Sequence, residues 1–316
     1  MDQLASMRIF VAVAQERSLA KASRILDLSP SAVSKHIAAL ESRLGVQLLA
    51  RTTRKVALTE VGATYLEKCQ KILHDIDLSE DIVRGAAGSV KGVLRIESPP
   101  GFAHRHIAPH LPIFMNQYPH VSIELTTTDV SHNLVESGLD ISIRMKPLSD
   151  SDGLAYTELA PNHRQLVASK EYLETHGTPK TLSDLADHKL VTLRHTSTGS
   201  DWHFKDEHGV MKTFKARGGM VLDSGDAMLR VVLNHGGISM LPRYVTGRHL
   251  RNGNLVAVLD DLVMEDFPIH AVTAPTPHQQ PKIDSFLKFL LEVYGTVPYW
   301  EERDEPMGDA ARRASL

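Results

Sequence analysis

Three short apolar stripes, each bounded by capping signals, occupy the first 45 residues and constrain the fold of this end of the chain most strongly. Ser18 and Ser29 are good N-caps, Pro30 suits a first helical position, and Gly45 suits a left-handed C-cap. Two short helices joined by about three residues after a leading helix predict a helix-turn-helix. The stripes, at helical spacing, are Met7, Phe10, Val11 and Ala14; Leu19, Ala22 and Leu26; and Val33, Ile37, Leu40 and Leu44.

The third predicted helix has a polar outer face at its N-terminal end, formed by Ser31, Ser34 and Lys35. Short hydroxyls and a lysine there can reach base edges and phosphates in a major groove, and a helix N-terminus itself favours phosphate. Two short strands flanking the basic run 51–55 predict a wing that follows the sugar-phosphate backbone. The alternative from spacing alone is a small helical domain with a solvated basic face.

The charge of the chain is distributed unevenly. Residues 1–60 hold nine Lys or Arg and five Asp or Glu, a net charge of +4, whereas the remainder holds 26 and 33, a net charge of −7. A basic end on an acidic body indicates that one end meets a polyanion. No apolar run approaches the ~18 residues of a membrane span, and no secretory signal is visible. Because Cys69 is the single cysteine, no disulfide framework is possible, and we expect a cytoplasmic location without membrane association.

Four ordered runs in the N-terminal region carry a family resemblance: 18–23 (SLAKAS), 28–37 (LSPSAVSKHI), 40–54 (LESRLGVQLLARTTR) and 58–62 (LTEVG). They are similar to the N-terminal domain of LysR-type transcriptional regulators. The resemblance implies a winged helix-turn-helix over 1–58 that binds double-stranded DNA at an imperfect palindrome. Ser23 and Leu49 depart from the family pattern without removing a phosphate or base contact. The expected DNA contacts are Ser29, Pro30, Ser31, Ser34, Lys35, Arg51, Thr53 and Arg54.

A 3.5-residue apolar repeat follows the wing and is typical of a helix that pairs with another helix. It predicts a linker helix over 59–88 that starts at Thr59 and joins two copies of the chain. The alternative is that the stripe packs against the body domain of the same chain. Family members are typically dimers of dimers, so the resemblance implies a tetramer. The predicted dimer contacts are Tyr65, Cys69, Ile72, Ile76 and Val83.

Past residue 89, strand and helix patterns alternate, which predicts parallel sheets wound by helices. Two such units joined by two crossovers would leave a cleft between them. The runs 94–99, 118–121, 138–144, 166–173 and 236–242 resemble the co-inducer domain of the same family, which has a periplasmic-binding-protein-like fold. The expected fold is therefore α/β multidomain. We expect a two-lobed effector domain over 89–297, with lobe I at about 89–160 and 268–297, lobe II at about 161–267, and a mobile polar tail over 298–316.

Residues at strand ends are the candidate effector contacts, because ligands of open α/β sheets lie beyond the carboxyl ends of strands. Their hydroxyls, backbone N–H groups and one arginine suit a small organic acid. The alternative for each residue is a role in capping a helix or a loop. The candidates are Ser98, Pro100, Gly101, Thr126, Thr128, Arg144, Thr196, Ser197, Ser224 and Asp226.

Seventeen histidines raise the question of a metal or catalytic site. His106 and His110 share a helix face, but no Glu or Cys in their cluster, which includes His104, completes a site, and His203 and His208 are predicted in a polar loop. No nucleophile elbow, Walker loop or dinucleotide fingerprint appears, so we expect no cofactor and no catalysis. We expect a DNA-binding regulator controlled by a small effector, with RNA polymerase as a candidate partner. The alternatives are a cytoplasmic solute-binding receptor with a basic protein-interaction arm and a cleft hydrolase.

Overall fold

The structure consists of an N-terminal helical unit, a long helix and a larger α/β region. It is a computed structural model that describes residues 2–51, 56–85, 90–146, 153–194, 201–205, 210–217, 219–265, 267–275 and 280–302. Within these ranges, no helix is both long enough and apolar enough to cross a membrane.

Side-chain caps define the helices of the N-terminal unit. Asp2, Ser18 and Ser29 each accept a hydrogen bond from a backbone N–H in the first turn that follows. Gly45 ends the third helix with a φ of 71°, as the sequence predicted, because a residue without a Cβ adopts this conformation at little cost. The apolar stripes of the three helices meet in one core. The helices are α1 (Gln3–Glu16), α2 (Leu19–Ile25) and α3 (Pro30–Leu44).

A two-stranded wing connects this unit to the long helix. β1 (Leu49–Arg51) and β2 (Val56–Leu58) pair antiparallel, and α4 (Glu60–Gly85) follows. The Thr59 hydroxyl donates to the carbonyl of Gln47 at 2.8 Å and accepts from the N–H of Gly62 at 2.9 Å. A Cβ on Gly62 would lie 1.9 Å from the carbonyl oxygen of Leu48. Glycine is therefore required where α4 starts against the wing.

The first turns of α4 pack on the N-terminal unit of the same chain. Cys69 has 0% exposure in that core, and the half-buried Tyr65 ring lies 5.6 Å from the Phe10 ring, centroid to centroid. This corrects the prediction that Cys69 contacts a second copy, because the repeat shows that a face is covered but not what covers it. Tyr65 packs on its own chain but is only half-buried, so its contact with a second copy stays a prediction. Ile72 is exposed and Ile76 half-buried, and the side chain of Val83 lies outside the described part of the chain.

The α/β region contains two five-stranded sheets and one smaller sheet. Its first part runs β3 (Gly92–Ser98), α5 (Pro100–Phe102), a π-helical turn (Ala103–Ile107), a 3-10 turn (Ala108–His110), α6 (Leu111–Gln117), β4 (Val121–Thr127), α7 (Leu134–Ser137), β5 (Ile141–Arg144) and β6 (Ala155–Ala160). Its second part begins β7 (Arg164–Ser169), α8 (Lys170–His176), a 3-10 helix (Leu182–Asp187), β8 (Leu190–Leu193), β9 (Asp201–Lys205) and β10 (Met211–Lys215). It continues β11 (Met220–Leu222), α9 (Gly225–Leu233), β12 (Ile238–Pro242), α10 (Arg243–Arg251), β13 (Leu255–Val258) and β14 (Val263–Met264), and β15 (Ile269–Thr273) and α11 (Pro281–Tyr294) follow.

The two larger sheets define two lobes. The first lobe has the strand order β4-β3-β5-β15-β6, and the second has the order β11-β8-β12-β7-β13. The chain crosses between them after β6 and again before β15. Each sheet has a parallel core of three strands, but β15 and β6 in the first lobe and β7 and β13 in the second run antiparallel to their neighbours. The sheets predicted as parallel are therefore mixed, because strands beside the crossovers run in the opposite direction.

A third sheet, with the order β10-β9-β14, covers part of the second lobe. His203 lies in β9, between the buried side chains of Trp202 and Phe204. This corrects the assignment of His203 to a polar loop, since alternating apolar residues around it form a strand. His208 lies outside the described residues.

The segment after α11 packs against both lobes. Trp300 is 2% exposed in the core of the first lobe, and a Cβ on Gly247 of α10 would lie 2.4 Å from its carbonyl oxygen. Arg251 of α10 donates to the Tyr299 carbonyl at 2.8 Å, and Glu301 accepts from His163 at 3.1 Å. This corrects the prediction of a mobile tail from residue 298. That prediction rested on the polar composition of the whole stretch, which gave no sign that Trp300 is buried.

Candidate functional site

The N-terminal end of α3 exposes short polar side chains on a fixed helix. Ser29 accepts from the N–H of Ala32 at 3.2 Å, and its hydroxyl lies 3.0 Å from that of Ser31. Ser29, Ser31 and Lys35 are exposed, and Ser34 is half-buried. Pro30 occupies the first turn, where it removes no helical hydrogen bond. The predicted reading-helix residues therefore share one solvent-facing end of α3.

Contacts on the other face of α3 fix its rotation. Val33, Ile37 and Leu40 are buried in the core of the unit. The His36 ring nitrogen Nδ1 lies 3.1 Å from the Ser6 hydroxyl of α1. Rotation of α3 about its axis would expose these buried side chains. The exposed hydroxyls and Lys35 therefore stay on the solvent side of the unit.

Glu41 of α3 anchors the wing, and sequence reasoning missed it. Its Oε1 accepts from the backbone N–H groups of Leu48 and Leu49 at 2.8 and 3.0 Å. One carboxylate therefore fixes the entry of β1 relative to the reading helix. The backbone of Arg51 pairs with Val56. The side chain of Arg51 and the residues Thr53 and Arg54 lie outside the described part of the chain.

Two predicted effector residues of the first lobe serve the local backbone. The buried Ser98 hydroxyl donates to the Pro99 carbonyl at 3.3 Å, and the Ser98 carbonyl accepts from the Thr128 N–H at 3.0 Å. The Thr128 hydroxyl accepts from the Val130 N–H at 3.1 Å. Of the other predicted residues, Thr126 is exposed at the end of β4, Pro100 begins α5, and Thr196 and Ser197 lie outside the described residues.

Arg144 belongs to a buried polar network beneath the loop that precedes α7. Glu97, 2% exposed, accepts from the Ser142 hydroxyl at 2.9 Å and from the backbone N–H of His132 at 3.3 Å, and it also bonds the His132 ring. Arg144 donates to the Ser142 hydroxyl at 3.3 Å and to the His132 carbonyl at 3.1 Å. The Arg144 guanidinium therefore fastens the loop to the sheet, and its assignment to the effector set stays a prediction.

An ion pair joins the lobes on the cleft side. Arg105, in the π-helical turn of the first lobe, donates to Asp226 in the first turn of α9, and it donates to the Gly101 carbonyl at 3.1 Å. Ser224 caps α9 by accepting from the Ala227 N–H. The structure thus brings together two predicted residues, Gly101 and Asp226, and Ser224 caps the helix that carries Asp226. Arg105 was missed because it lies in an irregular helix and not at a strand end.

His106 forms a second connection between the lobes. Burial lowers its pKa to about 4, so the ring is neutral, and Nε2 donates to the Tyr244 carbonyl at 2.9 Å. Nδ1 then accepts from the Tyr299 hydroxyl at 2.7 Å. Both nitrogens of His106 are engaged by protein groups. In the described ranges, no group of three or more His, Cys, Asp or Glu is placed to hold a metal ion.

A separate cavity of about 210 Å³ lies inside the second lobe. Its lining includes Arg164, Arg243, Asp260 and Met264. None of the predicted effector residues contributes to its wall, so it is distinct from the cleft at Gly101 and Asp226.

Both regions of the chain match family models. Residues 4–63 match the model described as bacterial regulatory helix-turn-helix protein, lysR family, and residues 87–295 match the LysR substrate binding domain. The chain belongs to the LysR family of transcriptional regulators. This LysR-type regulator is thus a DNA-binding protein with an effector-binding domain.

Named relatives span nearly the whole length of this LysR-type regulator. An uncharacterized HTH-type transcriptional regulator of Haemophilus influenzae is 32% identical over 283 residues, which is 90% of this chain and 98% of that protein. The HTH-type transcriptional regulator CrgA of Neisseria meningitidis is 31% identical over 290 residues, 92% of this chain and 96% of its own. The solved structure of CrgA covers 91% of this chain and 97% of itself at 30% identity, with a TM-score of 0.60. The full-length Vibrio cholerae virulence activator AphB covers 92% and 99% at 25% identity, with a TM-score of 0.61.

Proposed function

We propose that this regulator reads DNA with the N-terminal end of α3 in the major groove and the wing along the backbone. The observation that carries the proposal is the exposed set Ser29, Ser31 and Lys35 on a helix whose opposite face is buried. Ser34 and Lys35 contact base edges, and the N-terminal N–H groups of α3 contact phosphate. In the wing, Arg51, Thr53 and Arg54 contact the sugar-phosphate backbone and position the reading helix.

The regulator acts as a homo-oligomer on an imperfect palindrome. Val61 and Ile72 of α4 are exposed large apolar side chains, which supports the pairing of this helix with a second copy. Paired linker helices would hold two reading helices at half-sites about one DNA turn apart. Two such dimers form the expected tetramer.

A small organic acid in the cleft between the lobes controls the regulator. The ligand changes how the lobes close and, through the assembly, changes DNA affinity or bending. Couplings of this kind are typically about 1–3 kcal/mol. The meeting of Gly101 from one lobe and Asp226 from the other supports the cleft as the site.

Fluorescence anisotropy of the full chain on DNA from beside its own gene, against scrambled DNA at two salt concentrations, tests the proposal. We expect binding that prefers the genomic sequence and weakens on the order of a thousandfold between low and physiological salt, because several phosphate contacts release counterions. Equal binding to both DNAs, or binding that salt leaves unchanged, would contradict it.

A further inference from the structure

We propose that Arg105 binds the carboxylate of the effector and that Asp226 occupies this position when no ligand is present. The proposal rests on the proposed function, because it names the group that recognises a small organic acid in the cleft. It adds a residue that the sequence pattern did not indicate, and it gives the ion pair between the lobes a regulatory role.

The Arg105 guanidinium is placed and accessible for a carboxylate. It lies between the Gly101 carbonyl, to which it donates at 3.1 Å, and the carboxylate of Asp226. The side chains of Arg105 and Asp226 are 29% and 37% exposed, so solvent and small solutes reach the pair. An arginine presents two parallel N–H donors that match a carboxylate, and a ligand carboxylate can therefore replace that of Asp226.

The Tyr244 ring lies near the ion pair. A Cβ built on Gly101 would lie 3.6 Å from Arg105 Nη1, 3.7 Å from Asp226 Oδ2 and 3.8 Å from the Tyr244 ring. The missing side chain of Gly101 thus marks the point where the ion pair and an aromatic ring converge. Burial raises the pKa of Tyr244 to about 12, so its hydroxyl stays neutral beside a bound anion. These groups suit a small carboxylate with an apolar portion.

A ligand that displaces the Asp226 carboxylate from Arg105 would alter the contact between the lobes. Arg105 belongs to the first lobe and Asp226 to the second, so their ion pair is lost when a ligand takes the guanidinium. The bonds from His106 to Tyr244 and from Arg251 to Tyr299 do not involve this pair. Ligand binding therefore releases one of several connections between the lobes, which changes their closure without separating them.

A second ion pair provides matched controls. Arg95 and Glu124 pair at 3.1 Å on the first lobe, where both residues belong to the same sheet. Their side chains are also open to solvent. Substitutions in this pair remove a positive or a negative charge from an ion pair that lies within one lobe and does not involve Arg105 or Asp226.

Isothermal titration of the full chain with succinate and phenylacetate tests the proposal, with succinamide and phenylacetamide as uncharged controls. We expect Asp226→Asn to bind at least one carboxylate about fivefold more tightly than the wild type, since the competing carboxylate of a half-exposed pair is gone. Arg105→Ala should bind it at least tenfold more weakly, and Arg105→Lys should fall between Arg105→Ala and the wild type. Arg95→Ala and Glu124→Gln should match the wild type, and the amides should bind none of the proteins.

Two results would overturn the inference: carboxylate binding by Arg105→Ala equal to that of the wild type, or failure of Asp226→Asn to bind either carboxylate at millimolar concentration. Circular dichroism of each variant verifies that it is folded, and the gain expected for Asp226→Asn does not depend on a damaged protein. The anisotropy titration of the wild type without carboxylate decides the DNA-binding proposal separately. Failure of the Arg105 assignment is thereby distinguished from failure of the proposed function.

Discussion

Polar side chains at the N-terminal end of α3 face solvent, whereas those in the cleft between the lobes bond to each other. On α3, Ser31 and Lys35 point to solvent while the hydrogen bonds of the unit hold the scaffold beneath them. In the cleft, Arg105 and Asp226 satisfy each other. In the proposed mechanism, the exposed side chains of α3 bind DNA without losing a protein partner, whereas the ion pair in the cleft must open before Arg105 binds a ligand. This difference suits a constant DNA-reading surface controlled by a switchable cleft.

Arg144→Ala should give the largest loss of stability, because Arg144 supports the first lobe from within. The variant removes charge-assisted bonds to the Ser142 hydroxyl and the His132 carbonyl, and we expect a loss of about 3 kcal/mol in the free energy of unfolding. Urea unfolding followed by circular dichroism measures it. Arg95→Ala, which removes a more exposed arginine of the same lobe, should cost about 1 kcal/mol or less. Equal losses of unfolding free energy in the two variants would show that the buried bonds of Arg144 stabilise the lobe no more than the more exposed ion pair of Arg95.

Glu41→Ala should disconnect the wing from the reading helix. Two buried N–H groups, those of Leu48 and Leu49, lose their acceptor, which we expect to cost about 2 kcal/mol of stability and to weaken DNA binding. Thermal unfolding and anisotropy measure the two effects. Glu41→Gln keeps an acceptor oxygen and should lose less in both. A Glu41→Ala protein with wild-type DNA affinity would show that the wing needs no anchor.

We expect His106 to make the contact between the lobes sensitive to acid. Its pKa is lowered to about 4 in the folded protein, against 6.5 in the unfolded chain, so the unfolded chain takes up the proton first. The contribution of neutral His106 to the free energy of unfolding is fully present above pH 6.5 and is lost as the pH falls toward 4. At about pH 5 the loss is roughly 2 kcal/mol.

A comparison of the wild type with His106→Gln isolates this effect. Burial also lowers the pKa values of His110 and His249, but both proteins carry these residues. The free energy of unfolding, measured at about pH 7.5 and about pH 5, should fall by roughly 2 kcal/mol more in the wild type. An equal fall in both proteins would mean that His106 is not the group that titrates.

The helix caps could be predicted from the sequence because their decisive interactions are local. Ser18, Ser29 and Gly45 act within one helical turn, and each is found in its predicted role. Arg105 and Asp226 lie 121 residues apart, and no periodicity links them. The family resemblance correctly indicated a two-lobed domain, but it did not show which polar groups of a lobe satisfy each other.

Two errors of the sequence analysis have the same physical origin. The 3.5-residue repeat through Tyr65 and Cys69 correctly indicated a covered face, but hydrophobic burial is not directional, so the pattern could not tell a second copy from the α1–α3 unit. The tail was judged by average polarity, although the buried Trp300 side chain and the Tyr299 hydroxyl hold residues 298–302 against the first lobe. In both cases the missing information was the identity of the packing partner.

Selection of DNA from a random pool by the full chain, with sequencing of the bound fraction, tests the DNA-reading surface most directly. We expect an enriched motif of two inverted half-sites about one helical turn apart. Ser34→Ala should weaken the preference at one position of each half-site while keeping non-specific binding. A pool without an enriched motif, or a motif that Ser34→Ala leaves unchanged, would contradict the assignment of α3 as the reading helix.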